Sequence, residues 1–431
     1  MKLFRACVFF YFLGVSLSAQ GLLITLDDAL ERGFEQSLSL KQNQIDLDSA
    51  ARSAKNLWAQ VFPSISISGG INYRNSLSAV RSQDPLSYTA AADISLELTN
   101  SLVFSMRNIS LAYQAQLLSY DQAGRALELT ITKTFFSLLA RQSRLDILEE
   151  DRRLAEAQNE KQETAFRNGL VSELVALRSR LAAEEARFAL SQARTQFNAE
   201  LGKFLALLGY EQRPEARLEG ELAVQELHPD GEELIRDYLR KRPDIIMQRQ
   251  RIALLENAKS MSAVNSRGPV ISLGARWNGG YGDTLNNFPG DFSDTISGSL
   301  SVRIPIDPWL PGSRGDQTIR SAEGELEKAR LELEDMERSG MAEIRSYADI
   351  INNSWESIEI ARLRSEIAVR TYELSEEGYR SGTVEFLDLQ NTRQDMVNAR
   401  QQLLDAELSY QNLVLDLAAL INVKWTQLQN P

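Results

Sequence analysis

The sequence is written twice, and this duplication constrains the fold more than any other feature. The segment Phe166 to Tyr210 aligns without a gap on Tyr379 to Val423. Along it, Arg167, Gly169, Val171, Leu174, Arg180, Ala186, Arg187 and Leu190 meet Arg380, Gly382, Val384, Leu387, Arg393, Ala399, Arg400 and Leu403. Helical composition alone does not hold a register that long, so the chain consists of two related units. Further upstream, Ala54-Lys55 followed by Pro63 recurs as Ala258-Lys259 followed by Pro269. Each half therefore has the same order: helix, two strands, very long helix, glycine turn, helix.

The helical stretches space their apolar residues three and four apart, the coiled-coil pattern. One seam runs through Leu40, Leu47, Ala51, Ala54, Trp58 and Val61, a second through Met341, Ile344, Ala348, Ile351, Trp355 and Ile358, and a third through Leu403, Ala406, Tyr410, Leu413, Leu417 and Leu420. Thr25 with Asp28, and Asp230 with Glu233, have the spacing of reciprocal helix caps. A helix from about Ser101 to Ala165 would rise about 97 Å. Its neighbours, about Thr25 to Val61 and Ser172 to Leu208, would each rise about 55 Å, so two short helices end to end match one long one. The expected result is a wall of antiparallel helices about 100 Å tall.

Two stretches per half switch to strict two-residue periodicity. Ile65, Ile67, Ile71 and Tyr73 alternate with serine and asparagine, and Tyr88, Ala90, Ala92, Ile94, Leu96 and Leu98 alternate with Thr89, Asp93, Ser95, Glu97 and Thr99. The second half repeats this with Ile271, Leu273, Ala275, Trp277 and Tyr281, then Ile296, Leu300, Val302, Ile304 and Ile306. The runs are close to the length of a tilted transmembrane strand. A soluble half-buried sheet would alternate in the same way. Three features favour the membrane: a secretory-type start, aromatic residues near strand ends (Tyr73, Tyr88, Tyr281, Trp309), and long polar loops between paired strands. Four strands cannot close a barrel, since transmembrane barrels begin at about eight. Three copies would supply about 12 strands and an aqueous lumen, which makes a homotrimer the preferred assembly. Arg303 and Glu97 would then face the lumen.

The rest of the composition removes other classes. The start, with Lys2, Arg5 and the apolar run from Cys7 to Leu17, reads as a signal peptide over residues 1–19. Cys7 is the only cysteine and lies inside it, so disulfides, thiol catalysis and zinc–thiolate sites are not expected. The only histidine, His228, sits in a linker-like Leu-His-Pro-Asp stretch without the partners of a metal site or triad. A net charge of −12 argues against nucleic acid as a partner. Gly279-Gly280-Tyr281-Gly282 is not followed by a helix and reads as strand end and loop rather than a nucleotide loop. No catalytic, metal or cofactor residues are nominated, and no enzyme is expected.

At this point the chain resembles a known family, the TolC-like outer-membrane efflux proteins (outer membrane factors), over nearly its whole length after the leader. The marks are Phe166-Arg167-Asn168-Gly169-Leu170-Val171, Tyr379-Arg380-Ser381-Gly382-Thr383-Val384 and Arg242-Pro243-Asp244. The resemblance implies a mainly α fold with a transmembrane β part, in two tandem structural repeats. A long antiparallel coiled-coil helical barrel would continue a 12-stranded β-barrel formed by a trimer, four strands per chain. The first repeat would span 20–220, with strands about 64–75 and 87–100 and a tip turn at 167–171. The second would span 221–431, with strands about 269–281 and 294–307 and a tip turn at 380–384. A belt would form from about Tyr210 to Gly231. The implied function is a passive export conduit of a tripartite efflux or type I secretion system, in the outer membrane with a large periplasmic part.

The implied partners are outer-membrane lipid, a periplasmic adaptor (membrane fusion) protein and, indirectly, an inner-membrane pump. Asn168, Gly169, Leu170, Ser381, Gly382 and Thr383 would be the docking tips. Asp388, Asn391 and Tyr379 would form the periplasmic constriction. The chain departs from the family's best-known pattern at Val384 and Val175, where polar latch partners are expected, and at the uncharged Asn391. The rival readings are a periplasmic adaptor, which would carry one hairpin between β-rich segments, and a secreted coiled-coil scaffold, which would stay soluble without detergent.

Overall fold

The computed structural model describes residues 22–73, 86–210, 216–283 and 292–429. The expected leader and the loops between paired strands lie outside the described residues.

The first half opens with a short strand, β1 (Leu22–Ile24), then α1 (Leu26–Gln36) and α2 (Leu38–Lys55). The Thr25 hydroxyl accepts the Asp28 N–H at 3.2 Å and the Asp28 carboxylate accepts the Thr25 N–H at 3.2 Å, the reciprocal cap expected. The single helix expected over Thr25–Val61 is broken twice. At Ser37 the backbone is extended and the hydroxyl caps the next helix by accepting the Leu40 N–H at 3.3 Å. At Asn56 the helix gives way to a 3-10 turn over Leu57–Val61. That turn swings Trp58 off the expected seam, leaving it 59% exposed and edge-on to Phe62.

Two strands follow, β2 (Ser64–Tyr73) and β3 (Leu86–Thr99), then α3 (Leu102–Arg167) and α4 (Glu173–Leu207). A short strand, β4 (Ala216–Leu218), pairs in parallel with β1 and lies in the segment expected to form a belt. The second half runs α5 (Gly231–Tyr238), α6 (Pro243–Arg267), β5 (Val270–Asp283), β6 (Phe292–Arg303), α7 (Arg314–Ser381), α8 (Phe386–Leu420) and α9 (Trp425–Gln429). Asp230 caps α5 by accepting the Glu232 N–H at 2.9 Å, but Glu233 pairs with Arg236 at 3.2 Å. β6 ends at Arg303 rather than near 307, because Pro305 has no N–H to donate and Asp307–Trp309 is a 3-10 turn.

With 66 and 68 residues, α3 and α7 each rise about 100 Å. α3 packs against α1, α2, α4, α6 and α8, and α7 against α5, α6 and α8, so short helices laid end to end flank each long one. The predicted seams hold where the helices are continuous: Ile344, Ala348, Ile351, Ile358, Tyr410 and Leu417 are all buried. The repeat extends over both complete hairpins at a constant offset, since the bounds of α4 and α8 superpose residue for residue. Gly169 and Gly382 take φ of 71° and 79°, and each donates to the carbonyl three residues back. The far ends match too. Gly209 (φ 76°) is answered by Asn422 (φ 63°), with Tyr210 N–H donating to Leu205 O and Val423 N–H to Ala418 O. Asparagine is the side chain best able to replace glycine there, and its amide recovers the cost by binding Arg125 and the Lys241 carbonyl.

Candidate membrane sheet and helical tips

The four longer strands form one antiparallel sheet in the order β2-β3-β5-β6. Alternation along one strand defines a face only if neighbouring strands keep phase, and the register keeps it. Ile65, Ile94, Ala275 and Gly298 form one row across the sheet; Ile67, Ala92, Trp277 and Ile296 form the next; Leu96, Leu273 and Leu300, then Leu98, Ile271 and Val302, continue it. The rows between are Ser64, Ser95, Gly274 and Ser299, and Ser66, Asp93, Arg276 and Ser297. One face is oily across all four strands except at Asp294, which accepts the Trp277 indole N–H at 3.4 Å, and the other is wet. A one-residue slip in any pair would invert that strand.

The wet face carries charges of both signs. Asp93 and Arg276 are cross-strand neighbours joined by an ion pair, and Glu97 and Arg303 lie on the same face. On the oily face the sheet is bounded by aromatic residues. Ile71, Tyr88, Tyr281 and Phe292 form one terminal row, with the Tyr281 and Phe292 rings 5.0 Å apart. At the helical end lie Trp58, Phe62 and Trp309, the last under the Arg267 guanidinium at 5.2 Å. Phe292, Trp58 and Phe62 belong to this girdle but were not nominated from sequence. Burial underlines the point: Ile67 and Ile296 are 84% and 82% exposed, so the oily face has no cover within the chain. Among the described residues no helix is long and apolar enough to cross a membrane.

At the opposite end the glycine turns bring Asn168, Gly169 and Leu170 to one tip and Ser381, Gly382 and Thr383 to the other. All are exposed, Leu170 at 75%. The second tip is tightly built: Ser381 and Thr383 hydroxyls both donate to the Gly378 carbonyl, and the Val384 side chain lies against Gly378. Val384 therefore closes the turn by packing, where the resemblance implied a polar partner. Asp388 and Asn391 are exposed, one turn apart at the start of α8. Tyr379 lies near the end of α7. Its hydroxyl donates to Gln162 of α3 at 3.1 Å and its ring packs on Phe386, so it ties the two hairpins together.

That tie belongs to a larger set that sequence reasoning missed. Lys133–Asp416 (2.5 Å), Arg144–Asp405 (2.5 Å), Glu150–Arg400 (2.6 Å) and Asp151–Arg393 (2.5 Å) lace α3 to α8. Of these only Asp151–Arg393 is buried on both sides. Burial pushes the Asp151 carboxyl above its ordinary range, against the opposing pull of Arg393. The partners lie 242 residues apart, so no local pattern could have announced them. Arg242 of the Arg-Pro-Asp motif is also buried. It bonds Asp244 and Glu343 at 2.8 Å and the Gly340 carbonyl at 3.4 Å, pinning the start of α6 to α7. Burial would raise the Asp244 carboxyl, but the bonds and charge of Arg242 outweigh it and hold the group below its ordinary value. His228 is exposed and lies 3.1 Å from Glu226.

A sheet with one bare oily face, continued by a wall of helices about 100 Å tall, is the architecture expected of an outer-membrane channel protein. A family model described as outer membrane efflux protein matches residues 29–210 and 234–423. The chain belongs to the outer membrane efflux protein family. Solved structures with the same fold include CusC (TM-score 0.74, 16% identity, covering 93% of this chain and 92% of that one). The CmeC outer membrane channel of Campylobacter jejuni gives 0.73 at 18% identity, covering 92% and 85%. The open-state MtrE outer membrane channel of Neisseria gonorrhoeae gives 0.72 at 16% identity, covering 92% and 89%. The comparison with curated protein sequences found no match. The protein is thus an efflux channel of the outer membrane, and the adaptor and scaffold readings are left without support.

Proposed function

We propose that three copies assemble into one conduit and that the conduit is passive, performing no covalent chemistry. The observation that carries this is the sheet: its oily face is bare, and β2 and β6 are edge strands with every described residue exposed. Unpaired backbone groups in lipid cost several kcal/mol each, so β6 of one copy must pair with β2 of the next, and closure follows at about 12 strands. The wet face, rich in serine and glycine with Asp93 and Arg276 mutually neutralised, suits a water-filled lumen with little selectivity of its own.

The tips at Asn168–Leu170 and Ser381–Thr383 dock a periplasmic adaptor, and an inner-membrane pump supplies the energy through it. Exposed turns at the far end of a rigid wall are what such a partner meets first. Asp388 and Asn391 of three copies ring the axis as the narrowest part, with a carboxylate ring attracting cations. Detergent-purified protein should have the mass of a trimer and form discrete conducting channels in a planar bilayer. A monomer soluble in plain buffer would sink the assembly reading. Bulky residues at Gly169 and Gly382 should weaken cross-linking to the adaptor while the trimer persists, and undiminished cross-linking would remove the docking role.

A further inference from the structure

The constant offset between the hairpins shows what meets what at the boundary between copies, and the chemistry there differs from that inside one chain. Within the chain α8 packs on α3. By the repeat, α4 of one copy must pack on α7 of the next in the same manner, so each α3–α8 contact has a named counterpart. The exposed apolar residues support this mapping. Leu363 and Ile367 of α7, 58% and 57% exposed, stand where Glu150 and Leu154 stand in α3. Leu177 of α4, 55% exposed, stands where Gln390 stands in α8.

The four ion pairs do not survive the mapping. Lys133–Asp416 becomes Ser346 against Lys203, and Arg144–Asp405 becomes Ser357 against Gln192. Glu150–Arg400 becomes Leu363 against Arg187, and the buried Asp151–Arg393 pair becomes Arg364 against Arg180. Every carboxylate is gone; two of the four bases become serine, Arg187 and Arg180 remain, and Lys203 and Arg364 stand where carboxylates stood. Arg187 is already held by Glu156 and Glu184 of its own hairpin. Arg364 bonds only the Gln402 amide oxygen at 3.1 Å, and among the described residues neither it nor Arg180 has a carboxylate within ion-pair distance.

We infer that Arg180 of one subunit and Arg364 of the next together form an oxyanion site at each of the three subunit boundaries, filled by a small species such as inorganic phosphate. Two guanidiniums brought together by helix packing repel unless an anion lies between them, and their forked donors match tetrahedral oxyanions. The site rests on the trimer reading and is incomplete without the second copy.

The absence of any cysteine beyond Cys7 makes the geometry testable. In a Cys7→Ser background, Arg180→Cys with Arg364→Cys should be joined by a short bis-maleimide into a ladder ending at the trimer. A trimeric mass with no cross-linked species would overturn the site and leave the trimer standing; a monomeric mass would overturn both. For the anion, the wild-type trimer should melt higher in inorganic phosphate than in chloride at matched ionic strength, by roughly 2–4 °C. Arg364→Asp rebuilds across the boundary the pair found inside the chain. It should raise the melting temperature in phosphate-free buffer and abolish the phosphate shift. An Arg364→Asp trimer that melts lower, or keeps the shift, would refute the site.

Discussion

The buried Asp151–Arg393 pair joins the two hairpins of one chain, and its removal has a calculable signature. Arg393→Met leaves the Asp151 carboxylate buried without its cation, a change that costs about 3–5 kcal/mol when a buried pair is broken from one side. At 1.36 kcal/mol per decade, this corresponds to more than about a hundredfold faster exchange of the amides around 148–158 and 390–400 at neutral pH. The cost must depend on pH, and the sign follows from the direction of the shift. Asp151 titrates above its ordinary range in the folded protein because burial disfavours its charge. A raised carboxyl contributes stability that is fully present below the unfolded value of about 3.9 and is lost as pH rises through the folded value. Removing Arg393 raises the folded value further, so the Arg393→Met defect should be largest at neutral pH and shrink in mild acid, where the carboxyl takes up a proton. Replacing both partners, as Asp151→Leu with Arg393→Met, removes the stranded charge and should return exchange to near wild type or slower. Hydrogen exchange with mass spectrometry on detergent-purified protein reads all three variants. A single variant within tenfold of wild type at neutral pH, or a double variant as labile as the single, would refute the reasoning.

Three further outcomes follow from the same structure. Ile94→Arg, on the oily face, should destabilise the protein in liposomes by about 2–4 kcal/mol, whereas Ser95→Arg on the wet face should cost close to nothing; equal urea midpoints would show that the face assignment is wrong. Asp388→Ala should raise single-channel conductance if the residue rings the narrowest part, and an unchanged trace removes it from that role. Gly382→Ala should loosen the second tip by about 1–2 kcal/mol through its positive φ alone, since nothing lies within 4 Å of a built Cβ, and Gly382→Asn should cost less. Protease nicking at 380–384 that is the same in both variants would show that backbone strain is not the cause.

The parts of this molecule legible in its sequence are those fixed by local spacing. Two-residue alternation located all four strands to within a few residues, and glycine with its flanking pattern located both tips, because side-chain period and positive φ are properties of a few consecutive residues. Where a single backbone group decides the outcome, the reading slipped: Pro305 ends β6 early, and Asn56 turns Trp58 from a core seam into the aromatic girdle. The inter-hairpin ladder was illegible for a different reason. Each partner on its own is a charged residue on an amphipathic helix, and only the packing of α3 on α8 distinguishes Arg393 from a solvated arginine. The repeat restores part of that information. Once one copy of a contact is seen, the offset projects it onto the other, and substitutions between copies become readable as chemistry. Arg393 and Arg180 are the same residue in the two halves, yet one faces a carboxylate and the other, by projection, a second arginine. On the proposed trimer, the duplication would have kept the shape of the wall while the contacts between copies lost the carboxylates found inside one chain.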